Sequence, residues 1–357
     1  MNAKLLAAVA ALGLLSACSG EAASESAAAQ AKASVSGAGA TFPAPLYAKW
    51  AEAYRTEGDV AVNYQPVGSG DGIKQIEAGK VDFGASDRPL QPEELDKNGL
   101  YQFPTVIGGV VPVVNLPGIQ PGQVKLTGAV LGDIYLGKLE KWNAPEIVAL
   151  NPGLTLPNLR ITPVHRSDAS GTSFLFTSYL AMKNPAWSAK VGASDSVTWP
   201  AGISGQGNEG VASSVQVAPG SIGYVEYAFA KQTRAIHVLL QNSAGAYPQP
   251  SARSFAAAAL GADWAHAPGN YLLLLDQAGA PSWPITGATF ILLPKNKADA
   301  AKRATVLQFF DWAYRNGDQA AGRLDYVPLP QSIKERMRQQ WASTITANGK
   351  PVYTIAP

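Results

Sequence analysis

The sequence predicts an α/β fold of two lobes, each with a mixed, mostly parallel sheet flanked by helices. Apolar or β-branched segments alternate along the chain with segments of helical periodicity, which is typical of such sheets. The chain has 357 residues, of which 46% are hydrophobic and 15% are charged, and this length exceeds what one ordinary core accommodates. Two long apolar segments, residues 103–116 and 283–293, lie far apart in the sequence. Each is long enough to cross between lobes as a strand.

The first 17 residues are predicted to be a signal peptide. Lys4 is followed by an apolar run at residues 5–15, which is too short to span a membrane as a helix and has the length of a signal-peptide core. Residues 18–33 are rich in Ala, Ser, Glu and Gln. We expect them to form a flexible tether to the folded part of the chain.

Cys18 is the only cysteine in the chain, so a disulfide within the chain is impossible. It ends the segment Leu15-Ser16-Ala17-Cys18, which resembles a lipoprotein signal: cleavage precedes the cysteine, and the thiol carries a lipid. The alternative is ordinary cleavage at a later site such as Ala29-Gln30-Ala31, which lies far from the apolar core. We therefore expect lipid on Cys18 to anchor the exported protein to a membrane.

From residue 34 onwards, predicted strands and helices alternate. The strands are residues 34–36, 60–67, 81–86 and 103–116, and the helices are residues 43–55, 71–78 and 92–97. Pro43 favours a helix start, whereas Gly79 and Gly99, or Asn98, favour helix ends. The second long segment leads into a C-terminal helix at residues 298–314.

Two crossing strands would divide the chain into a discontinuous lobe and a continuous one. Lobe I is predicted to comprise residues 34–113 and 284–357, and lobe II residues 114–283. A ligand of such a protein would lie between the lobes.

Residues 165–174, with the sequence HRSDASGTSF, form the turn on which the functional prediction depends. They follow the apolar segment 161–164 and precede apolar residues at helical spacing, so the pattern predicts a strand, a turn and a helix. Ser170 and Thr172 can cap that helix, and Gly171 allows the backbone to approach a ligand closely. Because the first amides of a helix carry the positive end of its dipole, the turn favours an anion.

Arg166 would add a planar fork of donors to this turn, and Asp168, two residues on, could hold the guanidinium in place. The alternative is ordinary helix capping with Arg166 as a surface charge. Two further turns, at residues 37–47 and 67–73, also place glycines and hydroxyls before a helix. In an open α/β sheet such turns lie at the carboxyl ends of strands, where ligands bind.

Six segments of the chain resemble those of a known family. They are GAGATFPAPLYAKW at 37–50, VDFGASDRPL at 81–90, FPTVIGGVV at 103–111, RSDASGTSFLFTSYL at 166–180, GYVEYAFAK at 223–231 and WPITGATFILL at 283–293. From about Val35 to Pro330, the chain resembles the phosphate-binding protein of the bacterial ABC-type high-affinity phosphate transporter. The resemblance implies a periplasmic-binding-protein fold with two lobes joined by two crossover strands. It also implies a monomeric periplasmic protein that captures inorganic phosphate between its lobes and passes it to the membrane subunits of an ABC importer.

The resemblance further implies which residues contact phosphate, through hydroxyls, backbone amides, one guanidinium and one carboxylate. These residues are Thr41, Phe42, Ser69, Asp87, Arg166, Ser170, Gly171 and Thr172. Asp87 would accept a hydrogen bond from the phosphate's own proton, and Asp168 would orient Arg166. The chain departs from the family pattern at Asp71 and Arg88, both of which add charge near the expected cleft.

Several alternatives remain open from the residues alone. Phe42 could be a core aromatic and Asp168 a helix cap. His165, Asp168 and Ser170 could suggest a serine hydrolase, although residues crowded on one turn rarely converge as a triad. The protein could also be a receptor for another oxyanion, such as sulfate or molybdate, or a phosphoesterase that retains phosphate as its product.

Composition and motifs argue against other classes. The formal net charge is +2, and Lys and Arg are scattered, so no nucleic-acid partner is expected. One cysteine and three scattered histidines give no metal-ligand spacing, and the P-loop motif GxxxxGK[ST] does not occur. We therefore expect no metal, no cofactor and no enzymatic reaction. The glycine-rich residues 205–210 are interpreted as a cap or loop, and Trp50, Trp283 and Trp312 as core residues.

If Cys18 carries lipid, the native protein should partition into detergent, and Cys18→Ala should abolish processing at that position. Detergent phase separation and mass spectrometry of the mature N-terminus measure both outcomes. A water-soluble mature protein that begins near Ala31 or Lys32 would contradict the lipid assignment.

Overall fold

The computed structural model describes residues 33–58, 60–296 and 299–354. The predicted signal peptide, Cys18 and the tether up to residue 32 lie outside these ranges. Within the described ranges, no helix combines the length and apolar character needed to cross a membrane.

The described residues form strands and helices in the alternation that the sequence predicts. The strands are β1 (Ala33–Gly39), β2 (Val60–Gln65), β3 (Phe83–Ser86), β4 (Leu100–Val114), β5 (Lys125–Leu126), β6 (Thr162–Arg166), β7 (Ile203–Gly205), β8 (Ser221–Glu226), β9 (Ile236–His237), β10 (Leu239–Leu240), β11 (Leu274–Leu275), β12 (Ile285–Pro294), β13 (Val327–Pro328), β14 (Thr346–Ala347) and β15 (Lys350–Pro351). The α-helices are α1 (Ala44–Gly58), α2 (Ser69–Glu77), α3 (Pro92–Asn98), α4 (Gly128–Tyr135), α5 (Pro145–Leu150), α6 (Gly171–Lys183), α7 (Pro185–Lys190), α8 (Gly207–Val217), α9 (Tyr227–Gln232), α10 (Ala252–Leu260), α11 (Ala300–Asn316), α12 (Asp318–Arg323) and α13 (Gln331–Thr344). A single 3₁₀ turn in the described residues covers Pro268–Asn270.

A mixed sheet of 11 strands runs through the described residues in the order β2-β1-β3-β12-β4-β8-β6-β7, with β9, β11 and β13 paired beside this path. At one end, β1 pairs in parallel with β2 and β3. At the other end, β6 pairs in parallel with β7 and β8. The antiparallel pairs of the main path involve the two long strands, β12 with β3 and β4, and β4 with β8. Each lobe therefore contains a parallel unit, and the long strands join the two.

Strand β4 belongs to both halves of the sheet. Its residues 100–109 pair with β12, whereas residues 110–114 pair with β8. Every residue of β4 and β12 is buried. Where the partner changes, the buried Trp283 donates from Nε1 to the carbonyl oxygen of Val110 at 2.9 Å. The prediction of two long joining strands is confirmed, whereas the lobe boundaries at 113/114 and 283/284 stay a prediction.

The helices nearest the cleft begin close to the predicted positions. Helix α1 begins at Ala44, one residue after Pro43. Helix α2 begins at Ser69 rather than at Asp71, so the hydroxyl predicted to precede the helix is on its first residue. Helix α3 ends before Gly99, as predicted.

Two of the three tryptophans predicted to lie in the core are buried. Trp50 donates from Nε1 to the carbonyl oxygen of Gly317 at 3.1 Å, which ties α1 to the end of α11, and Trp283 is fully buried. Trp312 is only half-buried and donates to Glu57 Oε2 at 2.6 Å. The third tryptophan therefore lies at the edge of the core rather than inside it.

Candidate functional site

The segments that follow β2, β3 and β6 meet between the two lobes. Gly171 shows how closely they approach, because a Cβ atom added there would lie 2.5 Å from Ser69 Oγ and 2.6 Å from Asp87 Cβ. Ser69 Oγ also accepts a hydrogen bond from the backbone N–H of Asp87 at 3.2 Å. The first turn of α6 therefore lies directly against Ser69 and Asp87.

Arg166 is the last residue of β6, and its side chain is buried. Asp168 accepts a hydrogen bond from Arg166 Nε at 2.8 Å and a second one from Nη2. The backbone N–H of Gly207 donates to the same carboxylate at 3.0 Å. Burial raises the pKa of Asp168, but the hydrogen bonds and positive charge of Arg166 outweigh this effect and leave the pKa below its usual value. Asp168 is therefore ionised at neutral pH, and its two hydrogen bonds fix the guanidinium in one orientation.

This orientation uses two of the three guanidinium nitrogens and leaves Arg166 Nη1 for another acceptor. Nη1 is buried and has no hydrogen-bond partner among the described residues, and the same is true of Thr172 Oγ1. An unsatisfied buried polar group costs about 1–3 kcal/mol, so such groups in a native fold need an explanation. A bound anion would satisfy both groups.

Helix α6 contributes its N-terminus to the same cluster. Ser170 is the N-cap, and its Oγ accepts from the backbone N–H of Ser173 at 3.1 Å. The hydroxyl of Ser173 is hydrogen-bonded to that of Tyr224 at 2.6 Å, and Tyr224 accepts from the backbone N–H of Arg166 at 3.2 Å. These bonds fix the start of a 13-residue helix, whose terminal amides and dipole favour negative charge.

Asp87 faces this positive cluster from lobe I and is only 1% exposed. Its Oδ1 accepts a hydrogen bond from Thr289 Oγ1 at 2.6 Å, so Oδ2 is the oxygen that remains for a ligand. Burial raises the pKa of Asp87 to about 7, although the bonds from Thr289 and Ser69 and the charge of Arg166 act in the opposite direction. Near neutral pH, Asp87 is therefore present both as carboxylate and as carboxylic acid.

Thr41 and Phe42 lie in the turn between β1 and α1. Phe42 is fully buried, and its ring packs against that of Tyr326 with centroids 6.2 Å apart. The Phe42 side chain therefore has the core position that the sequence left open, and the role of its backbone amide in binding stays a prediction. Thr41 Oγ1 accepts a hydrogen bond from Asn208 Nδ2 at 2.8 Å.

Direct contacts join the lobes around this cluster. The backbone N–H of Gly70 donates to the carbonyl oxygen of Ala169 at 2.9 Å. Arg88 Nε lies 3.2 Å from Asp195 Oδ2. This N–H makes no hydrogen bond in the described residues, so the contact is an ion pair without hydrogen-bond geometry. The cleft between the lobes is closed.

The two positions at which the chain departs from the family pattern are both ion-paired. Asp71 lies 3.2 Å from Lys74, and both side chains are largely exposed. Arg88 donates from Nη1 to Glu94 at 3.1 Å in addition to its contact with Asp195. Asp71 therefore faces solvent, whereas the charge of Arg88 at the cleft is compensated.

The residues that suggested a hydrolase have separate structural roles. The ring of His165 stacks on that of Trp199 with centroids 4.8 Å apart, and burial lowers the pKa of His165. Asp168 binds Arg166, and Ser170 caps α6.

A buried carboxyl group lies behind the Phe42 turn. The hydroxyl of Tyr326 lies 2.6 Å from the carbonyl oxygen of Phe42 and 2.9 Å from Glu226 Oε2. A phenol has one hydrogen and a carbonyl oxygen can only accept, so both contacts are satisfied when Glu226 is protonated and donates to Tyr326. Burial raises the pKa of Glu226 well above its usual value, and the charge of Asp87 adds to this. These effects outweigh the lowering of the pKa by the contacts of Glu226 with Tyr326 and with the backbone N–H of Ala228.

Several residues of the site were not predicted from the sequence. Thr289 and Tyr224 reach the cluster from distant strands. Both lie in segments that carry the family resemblance, but nothing in those segments indicated a contact with Asp87 or with Ser173. The sequence signal for the α8 side of the site was the glycine-rich stretch at residues 205–210, which we interpreted as a cap or loop. Helix α8 begins in this stretch and places Gly207 against Asp168 and Asn208 against Thr41. A cavity of about 300 Å³ borders these residues.

In the described part of the chain, no cluster of three His, Cys, Asp or Glu side chains could hold a metal ion.

Two lobes joined by long strands, with a buried group of donors closed between them, define a two-lobed solute-binding protein. In agreement, the family model of the PBP superfamily domain matches residues 24–316. The phosphate-binding protein PstS of Xylella fastidiosa is 52% identical over 309 residues, which are 87% of this chain and 85% of that protein. PstS of Haemophilus influenzae is 52% identical over 312 residues, 87% of this chain and 93% of that protein. The chain therefore belongs to the PBP superfamily and, within it, to the family of PstS phosphate-binding proteins.

A solved structure with lower identity agrees with the fold. The phosphate-binding protein of Stenotrophomonas maltophilia is 22% identical and gives a TM-score of 0.66, with 88% of this chain and 96% of that chain covered. The family resemblance predicted from the six sequence segments is confirmed.

The raised pKa of Glu226 predicts a pH dependence of stability. The folded state keeps a proton that the unfolded chain releases at lower pH, so the unfolding free energy should fall as pH rises from about 4.5 through the folded pKa. The loss is about 1.4 kcal/mol for each unit by which the folded pKa exceeds the unfolded one. Glu226→Gln should remove this part of the loss and leave the part due to Asp87. Urea unfolding at pH 5 and pH 8 measures both proteins, and an equal loss in both would show that Glu226 is ionised when folded.

Proposed function

We propose that this protein captures inorganic phosphate in the closed cleft between its lobes and delivers it to the membrane subunits of an ABC importer. The observation that carries the proposal is a buried carboxyl group, Asp87, facing Arg166 and the N-terminus of α6. A cluster of donors alone would suit any oxyanion, whereas an acceptor within it suits an anion that still carries a proton. The relatives at 52% identity are phosphate-binding proteins by name, which supports the same ligand here.

The proposed contacts are those that the resemblance implied: Thr41, Phe42, Ser69, Asp87, Arg166, Ser170, Gly171 and Thr172. Their positions support this assignment, because Ser69, Asp87 and Gly171 are in direct contact. Arg166 Nη1 and Thr172 Oγ1 supply donors that no described residue uses. Asp168 acts through Arg166 by fixing its orientation.

The selection of phosphate over sulfate would depend on one shared proton. Phosphate keeps at least one proton near neutral pH, and the carboxylate of Asp87 can accept a hydrogen bond from it. The raised pKa of Asp87 means that the acid form is also available, so one hydrogen lies between Asp87 and the anion in either form. Sulfate brings no proton, so its oxygen would face the carboxylate without a hydrogen bond.

We further propose that the protein is a periplasmic monomer, anchored through lipid on Cys18, that binds phosphate without chemical change and without a cofactor. The separate structural roles of His165 and Ser170 support binding rather than hydrolysis. The single cysteine next to the apolar segment supports the anchor.

The proposal is tested by calorimetric titration of ligand-free wild type and Asp87→Asn with phosphate and with sulfate. At pH 8, where Asp87 is mostly carboxylate, wild type should bind phosphate more tightly than sulfate, because sulfate brings no proton for the carboxylate to accept. In Asp87→Asn the carboxamide can turn its NH₂ toward sulfate, so the phosphate-to-sulfate preference should fall at least about tenfold. In wild type, sulfate affinity should also rise as pH falls below about 7, because protonated Asp87 becomes a donor.

An unchanged preference in Asp87→Asn would show that Asp87 does not discriminate between the anions. A wild-type protein that binds sulfate as well as phosphate at pH 8 would contradict the phosphate assignment itself.

Closure around the ligand is tested by Gly171→Ala. The added Cβ would meet Ser69 and Asp87 at 2.6 Å or less, whereas alanine is otherwise favourable in a helix. The variant should fold and yet lose at least about tenfold in phosphate affinity, together with the compaction that phosphate causes in wild type. Small-angle X-ray scattering and calorimetry measure the two effects.

Gly322→Ala is the matched control, because Gly322 lies in helix α12 and an added Cβ there meets no atom within 4 Å. It should bind phosphate like wild type. Wild-type affinity and compaction in Gly171→Ala would contradict closure at this point.

A further inference from the structure

We propose that Asn208 is a positioning residue of the phosphate site: it sets the direction of the Thr41 hydroxyl and links the two lobes in the closed state. This inference rests on the proposed function. It assigns a role to a residue that belongs to none of the predicted contacts.

The orientation of the Asn208 carboxamide is determined by its partners. Asn208 is the second residue of α8 and is fully buried. Its Oδ1 accepts from the backbone N–H of Glu226 at 2.9 Å, and its Nδ2 donates to Thr41 Oγ1 at 2.8 Å. Because a backbone N–H can only donate, the oxygen must face Glu226 and the NH₂ group must face Thr41.

This arrangement decides what the Thr41 hydroxyl can do. Its oxygen already accepts a hydrogen bond from Asn208, so its own hydrogen is available for another acceptor. An anion oxygen in the cleft is such an acceptor, and a hydroxyl that accepts one bond donates the next one more strongly. A carboxylate in place of the carboxamide would instead accept the Thr41 hydrogen and withdraw it from the anion.

The same bond crosses the cleft. Thr41 lies in lobe I and Asn208 in lobe II, so their contact forms only when the lobes are closed. At the same end of α8, the backbone N–H of Gly207 binds Asp168, the carboxylate that holds Arg166. The start of α8 therefore connects closure to both Thr41 and Arg166, and loss of the Asn208 bond should speed phosphate release more than it slows capture.

A double-mutant cycle tests the proposal in the full-length protein, with inorganic phosphate as the probe. Asn208→Ala should weaken phosphate binding by about fivefold to tenfold, the range for one neutral hydrogen bond. In a Thr41→Val background, which lacks the hydroxyl, the same substitution should have less than about a twofold effect. Stopped-flow measurements should assign the loss to the dissociation rate.

Asn115→Ala is the matched control, because Asn115 donates to the carbonyl oxygens of Val215 and Gln216 at the other end of α8. It removes a carboxamide that supports the same helix without touching Thr41, and phosphate affinity should be unchanged. If Asn208→Ala does not fold, Asn208→Asp keeps the size of the side chain and should weaken phosphate binding by at least tenfold.

Equal losses from Asn208→Ala with and without the Thr41 hydroxyl would overturn the positioning role, and so would wild-type affinity in Asn208→Asp. Either result would leave phosphate binding by the wild type intact. Absence of phosphate binding by the wild type would overturn the proposed function and this inference together.

Discussion

The bidentate contact between Arg166 and Asp168 is the constraint on which the rest of the site depends. It allows a guanidinium to be buried, because the neighbouring carboxylate compensates its charge and occupies two of its nitrogens. It also determines which nitrogen remains for a ligand. The backbone at Gly68, which precedes helix α2, lies directly against this pair, because a Cβ atom added at Gly68 would be 2.5 Å from Asp168 Oδ2. Gly68 also has a φ of +102°. Only glycine fits such a position without strain.

The charged groups around the cleft largely compensate one another. Arg166 and Asp168 together carry no net charge, and the remaining proposed donors are neutral hydroxyls and amides at a helix start. Asp87 supplies the one opposing group, and its burial raises its pKa to about 7. In the proposed site, an anion that shares a proton with Asp87 meets no unpaired oxygen, whereas a fully deprotonated anion meets one when Asp87 is ionised. The proposed site therefore assigns affinity and selectivity to different residues of one small cluster.

The sequence predicts the fold class, the two long joining strands and the turn at residues 165–174, because these depend on local periodicity and capping chemistry. It also predicts that Arg166 and Asp168 are partners, since two residues along a strand place side chains on the same side. The contacts from Thr289 to Asp87, from Asn208 to Thr41 and from Glu226 to Tyr326 could not be predicted this way. Each joins segments far apart in the chain, and their proximity depends on sheet order and lobe closure.

A crystal structure of the wild-type protein with bound phosphate tests the assignment of the site most directly. We expect phosphate between the lobes, with Arg166 Nη1 and Thr172 Oγ1 donating to it and Asp87 Oδ2 within hydrogen-bond distance of one phosphate oxygen. The contacts between Arg166 and Asp168 should be unchanged. Phosphate bound at another place, or bound here with Arg166 Nη1 directed away from it, would contradict the proposed site.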